Sequence, residues 1–195
     1  MKQSLGAKPF LLPTPVLLVG TYDRNGRPNI MTAAWGGVCS SQPPALAVSV
    51  RKNRWTYSAI MERKAFTVSI PSRKLVAQAD FAGMHSGAEI DKFAALELTA
   101  EPAEHINAPF VAECPVVVEL ALIQAVDVGS HTQFIGEIMD VKINADCLGE
   151  GNQPDIAQID PIFFAPLAQQ YWSLGAFVAR AFSAGHSATR TAVIG

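Results

Sequence analysis

Arg51-Lys52-Asn53-Arg54-Trp55-Thr56 puts three cations just ahead of a hydroxyl, at a point where a strand-like run gives way to a helical pattern. Arg51 and Arg54 with Thr56 suit an anion, because planar guanidinium groups make paired, charge-assisted hydrogen bonds to phosphate. A helix beginning near Thr56 strengthens that reading, since the unpaired N–H groups and dipole of a helix N-terminus favour negative charge. Upstream, Thr32, Cys39, Ser40 and Ser41 are small residues beside Gly36 and Gly37, where main-chain N–H groups can approach a flat polar ligand closely. The two groups together describe half of a nucleotide site. They equally describe a hairpin with a basic end, and the stretch alone leaves both readings open. Phe81-Ala82-Gly83-Met84-His85-Ser86-Gly87, followed by Lys92, reads as a glycine-punctuated loop. Such a loop is a surface connection, or the second wall of a phosphate or ring-edge site. His131 is a turn histidine or a proton donor at neutral pH.

The elements that must position these residues are mostly strands. The prolines at 9, 13 and 15 exclude a helix interior and make the start an extended lead-in. Residues 16–22 (VLLVGTY) form a strand that turns at Asn25-Gly26, a pair that tolerates the positive φ of a tight hairpin. The return strand runs through Asn29 to Thr32, breaks at Ser40-Ser41-Gln42-Pro43-Pro44 and resumes as the alternating run 45–50. A short helix follows over 55–64, a strand over 65–70 and a second short helix over 73–80. Residues 98–110 are a connector with short extended pieces, then 116–128 and 132–143 pair as a long hairpin across Gly129-Ser130-His131. Six or so strands with few helices, joined by hairpins, predict a largely antiparallel barrel. Residues 155–164 read as a strand, 169–182 as an exposed or dimer-clasping helix broken at Gly175, and 183–195 as a loose tail. One domain over 1–195, with its core at about 13–175, is the expected organisation.

Composition removes several classes of function. With 49% hydrophobic and 16% charged residues over 195 positions, the chain can bury a full core, and disorder is excluded as its main state. Lys+Arg 15 against Asp+Glu 17 leaves a net charge of -2, so no chain-wide field draws it to nucleic acid or to an anionic membrane. Cys39, Cys114 and Cys147 are widely spaced and form neither a metal-binding pattern nor a disulfide framework, which suits a reducing cytoplasm. No apolar run reaches the roughly 18 residues of a membrane span, and no signal peptide is evident. A cytoplasmic protein without a metal site is expected.

Met31-Thr32-Ala33-Ala34-Trp35, the Ser40–Pro44 corner, Asp91-Lys92-Phe93 and Gly129-Ser130-His131-Thr132-Gln133-Phe134-Ile135-Gly136-Glu137-Ile138 occur in that order. The set resembles the flavin reductase-like family of FMN-binding split β-barrels, within it the flavoredoxin branch, over about residues 13–175. The resemblance implies a mainly β, Greek-key-like antiparallel split barrel with a few short helices. It also implies a homodimer with one non-covalent FMN per subunit, taking electrons from NAD(P)H or a reduced redox protein. By the same resemblance the isoalloxazine edge meets the main chain of Thr32, Ala33, Ala34, Trp35, Cys39 and Ser40. The phosphate lies by Arg51, Lys52 and Thr56, with Ser86 and Lys92 as further contacts, and Phe81, Ala82 and Gly83 line the loop. Phe164 reads as a packing or dimer contact, or as a lid over the ring. Backbone groups suit this role, because a flavin offers acceptors at N1, O2, O4 and N5 and a donor at N3. Two other functions remain beside the oxidoreductase: an FMN carrier or sensor without turnover, and a flavin-free structural dimer of the same fold.

Overall fold

The computed structural model describes residues 1–187. After the extended lead-in, β1 (Thr14–Pro15) and β2 (Leu17–Tyr22) lead to a turn in which Gly26 takes φ +79° and the Asp23 carboxylate accepts the N–H groups of Asn25 and Arg27. β3 (Pro28–Ala33) returns antiparallel to β2, with Leu17 opposite Ala33 and Tyr22 opposite Pro28. β4 (Gly36–Ser41) and β5 (Pro44–Arg51) form the next hairpin, then α1 (Trp55–Arg63) and β6 (Ala65–Ile70). A short 3-10 turn precedes α2 (Val76–Met84), and α3 (Lys92–Ala95) is capped by Asp91, whose carboxylate accepts the N–H of Ala94. The small pair β7 (Ala100–Pro102) and β8 (Pro109–Val111) precedes the long hairpin β9 (Val116–Val128) and β10 (His131–Ile143). α4 (Ile156–Ile159), β11 (Ile162–Ala165) and β12 (Gln170–Ser173) complete the regular elements of the chain up to Ser173.

Seven strands form one antiparallel sheet in the order β3-β2-β6-β9-β10-β5-β4, and β1, β11 and β12 form a second, smaller one. The two edge strands of the large sheet, β3 and β4, are consecutive in the chain and separated only by Ala34-Trp35. The sheet therefore curls until its ends meet at a seam, where the Ser49 N–H donates to the Trp35 carbonyl at 2.8 Å. This is a split barrel. Leu17, Val19, Met31, Val48, Phe66, Val68, Leu120 and Phe134 fill its interior. Val16, Leu18 and Ile30 point the other way and are covered by α2 and α3 through Ala79, Ala82 and Phe93. Covering on both faces explains why residues 16–19 are continuously apolar instead of alternating.

Buried Glu119 staples the connector between β7 and β8 to the barrel. Its carboxylate accepts the N–H groups of Glu104 and His105 at 3.1 and 2.8 Å and faces the Lys142 ammonium at 3.2 Å. Burial alone would raise this carboxyl; the two N–H groups and Lys142 hold it below the ordinary value of 4.5.

Three sequence expectations differ from the structure. Residues 81–84 are the last turn of α2, not a loop, because Gly83 packs flat on Thr32, where a Cβ would lie 3.3 Å from the Thr32 Cβ. Residues 169–182 form no helix: Gln170–Ser173 pair with β11, where Tyr171 opposes Phe164, and no regular element follows until Ala184. Within 155–164, Asp155 caps α4 before the strand begins at Ile162. Residues 184–187 make a 3-10 turn, and the rest of the proposed tail lies outside the described residues. Gly36 and Gly37 keep negative φ and belong to β4, an exposed edge strand that the small, polar run GGVCSS does not announce.

Candidate functional site

The seam places Thr32, Ala33, Ala34 and Trp35 from β3 and its link against Arg51 from β5, Arg54 ahead of α1 and His131 from β10. These residues line one cavity of about 130 Å³. Two residues that can only be neighbours through long-range pairing, His131 and Arg51, are cross-strand partners. The His131 ring lies against Trp35, with centroids 4.7 Å apart, and its Nδ1 is 2.9 Å from the Ser130 hydroxyl. Burial first, and the Arg51 charge second, lower the proton affinity of His131. At neutral pH it is therefore a neutral imidazole that offers one hydrogen bond, not a ready proton.

Charge at this end is unbalanced. Among the described residues, Arg51, Arg54 and Lys92 join no ion pair. Lys92 is buried, at 2% exposure, and donates to the carbonyls of Ile30 at 2.8 Å and Ala82 at 2.7 Å. Those bonds use two of the ammonium's three N–H donors. Burial, and then the Arg54 charge, pull Lys92 down to about 8. A cation buried without an anion is costly and commonly marks a functional site.

Further unmet polarity surrounds the start of α1. Thr56 is buried and accepts from the Asn29 amide at 3.1 Å, while Asn29 Oδ1 and Trp55 Nε1 are buried without a partner. Both residues pack against Gly87, where a Cβ would lie 2.1 Å from Asn29 Oδ1 and 2.9 Å from Trp55 Cδ1. The Arg54 position contributes no side-chain cap to the helix.

The other expected residues are distributed as follows. Lys52 turns away to Asp127 at 2.7 Å, which raises its proton affinity. Cys39 is exposed on β4 and lines a larger neighbouring groove with Ala34 and Trp35. Ser40, beside it, accepts the Gln42 N–H. Phe81 stacks on His85, with centroids 4.0 Å apart, and Ser86 accepts the Ala88 N–H. Ala82 contributes its carbonyl to Lys92. Gly83 and Phe164 line a third cavity that shares Thr32 and Ala34 with the first. Asn29 and Trp55 were not among the expected contacts; neither an amide within a strand nor a tryptophan at a helix start signals a ligand by type.

A mononucleotide of the FMN type fits these features on three counts. The unpaired cations and orphaned donor suit a phosphate, and the backbone at an open sheet seam suits a heterocycle edge. Trp35 and His131 supply flat walls.

The chain belongs to the flavin reductase-like domain family, whose model matches residues 10–165. Among solved structures it is similar to flavoredoxin of Desulfovibrio vulgaris (Miyazaki F), 57% identical with TM-score 0.92 over 95% of this chain and 100% of that one. It is also similar to flavoredoxin from Methanosarcina acetivorans, 28% identical with TM-score 0.90 over 96% and 99% of the two chains. A ferric-chelate reductase (NAD(P)H) of Archaeoglobus fulgidus is 30% identical over 134 residues, 67% of this chain and 76% of that protein.

Proposed function

We propose that the chain binds one FMN non-covalently at the seam and works as an electron-transfer oxidoreductase of the flavoredoxin type. The observation that carries this reading is the cluster of Arg51, Arg54 and Lys92 without a counter-anion, set beside a flat-walled cavity at the unpaired edges of the sheet. Arg51 and Arg54 hold the phosphate, with the third Lys92 proton and the N-terminus of α1 behind them. The main chain of Thr32, Ala33, Ala34 and Trp35 meets the ring edge, with Cys39 and Ser40 at its far side. Bound there, the flavin supplies one- and two-electron redox chemistry. Trp35 and His131 keep water from the ring, and neutral His131 positions a hydrogen bond.

NAD(P)H or a reduced redox protein is the donor to test, and a homodimer is the expected working form. The exposed edge of β4, with Val38 at 74% exposure, is the surface that such a dimer would cover. Two measurements test the reading. FMN added to the apoprotein should saturate at one per chain, and the loaded protein should be bleached by NADH, NADPH or reduced ferredoxin. Saturation without bleaching by any of them would make the protein an FMN carrier; no saturation would leave the flavin-free dimer.

A further inference from the structure

The two arginines of the seam stand at the ends of one turn, Arg51-Lys52-Asn53-Arg54, closed by the Arg54 N–H donating to the Arg51 carbonyl at 3.0 Å. The Arg54 carbonyl in turn accepts the N–H of Tyr57 at 3.0 Å, so the turn runs directly into α1. Whatever holds this turn sets where both guanidinium groups start from. We propose that Asp127 of β9 is a positioning residue for the phosphate: it anchors the turn through Lys52 and touches no part of the ligand. The inference rests on the FMN reading, whose phosphate site it explains.

The anchor has two links. Lys52 Nζ donates to Asp127 Oδ2 at 2.7 Å, and the Thr132 hydroxyl donates to Asp127 Oδ1 at 2.6 Å. Thr132 is buried, and it is the cross-strand partner of Asp127 on one side and of Val50 on the other. The next pair along, Arg51 with His131, faces the opposite side of the sheet, because successive side chains of a strand alternate. Lys52 therefore leans to the Thr132 side while Arg51 lines the seam cavity. An exposed ion pair adds little to the stability of a fold. Here the carboxylate is held from behind by a buried hydroxyl, so the pair fixes the direction of Lys52 and with it the turn. Charge alone argues for the opposite effect on a ligand. Asp127 is an anion near a proposed anion site, so a purely electrostatic role makes its removal, which also frees Lys52, tighten FMN; positioning makes its removal weaken FMN.

The test is fluorescence titration of the apoprotein with FMN and with riboflavin, which carries the ring without the phosphate. Asp127→Ala and Lys52→Ala should each weaken FMN by about three- to fivefold, the upper range for one exposed ion pair. The double variant should be no weaker than either single one, because both remove the same link. Thr132→Val, which keeps every charge, should weaken FMN in the same direction, and riboflavin should respond to none of these changes. FMN bound as well as before, or better, by Asp127→Ala or by Thr132→Val overturns the inference. Single losses that simply multiply in the double variant also overturn it, as do equal losses for FMN and riboflavin. The Arg51→Ala/Arg54→Ala protein separates the two levels: FMN weakened there but undiminished in Asp127→Ala overturns this inference alone, and no FMN uptake by the unaltered protein overturns both.

Discussion

Arg51 and Lys92, both proposed phosphate contacts, hold their charge in different ways. Arg51 is exposed and free of partners, so its removal costs the fold little and the ligand a charge-assisted bond. Arg51→Ala should weaken FMN by about 1.5–3 kcal/mol, measured by quenching of flavin fluorescence, with the circular dichroism unchanged. Lys92 is buried and titrates at about 8, chiefly because of burial and then because of Arg54. Anion binding favours its charged form, so above pH 8 FMN binding must be accompanied by proton uptake, and affinity should fall as pH rises from about 8 toward 10. The unfolded chain holds that proton more tightly. The apoprotein is accordingly less stable below pH 8 than it would be with an ordinary lysine, and regains that stability as pH climbs through the same window. Arg54→Ala should move the break in affinity upward, because one of the two causes of the lowered value is gone. Titrations at several pH values in two buffers of different ionisation heat check both statements. Arg51 stands out as a candidate anion contact by type and position alone, whereas the bonds of Lys92 to two carbonyls follow only from packing α3 onto β3.

Elements defined by their own sequence were legible, and elements defined by a partner were not. The run 116–128 and its return carry enough β-branched and apolar residues to be strands in any context, and both stand within a residue of expectation. β4 is a strand only because β5 lies beside it; β12 is one only because β11 does. The last turn of α2 was hidden by Gly83, a residue chosen for close approach to Thr32, not for a bend. Close approach also governs Gly20 in β2, where a Cβ would lie 2.2 Å from the Pro109 carbonyl oxygen and 2.4 Å from Thr67 Oγ1. Backbone cannot yield there as a side chain can, so Gly20→Ala should destabilise the protein by about 3 kcal/mol, read from urea midpoints. The Glu119 staple makes a second prediction at this scale. Its carboxyl is held below the ordinary value, so its stabilisation is present above pH 4.5 and is lost as pH falls through its folded value. Glu119→Gln should cost about 1.5–3 kcal/mol at pH 7 and remove that part of the acid sensitivity, visible in melting curves from pH 3 to 7.

At the level of the whole molecule, the site exists because a seven-stranded sheet closes on itself incompletely. A closed barrel would satisfy every backbone group at its seam; this one leaves β3 and β4 each with a single neighbour and joins them by the two residues that face the cavity. That arrangement is why a barrel of antiparallel strands, foreseeable from hairpin patterns, carries at its seam the cavity proposed here for a mononucleotide, which no single motif encodes. No described helix is long and apolar enough to cross a membrane. The surface is instead marked by apolar residues beyond β12, with Phe177, Val178 and Phe182 at 81%, 94% and 100% exposure. A dimer that covers them and β4 should show in sedimentation as twice the chain mass of 20.8 kDa. The most direct test of the central claim is FMN titration of the apoprotein and of the Arg51→Ala/Arg54→Ala double variant, followed by flavin fluorescence. Saturation at one FMN per chain, with affinity in the folded double variant reduced by more than about tenfold, is the predicted result. Equal affinity in the two proteins, or no saturable binding by either, would contradict it.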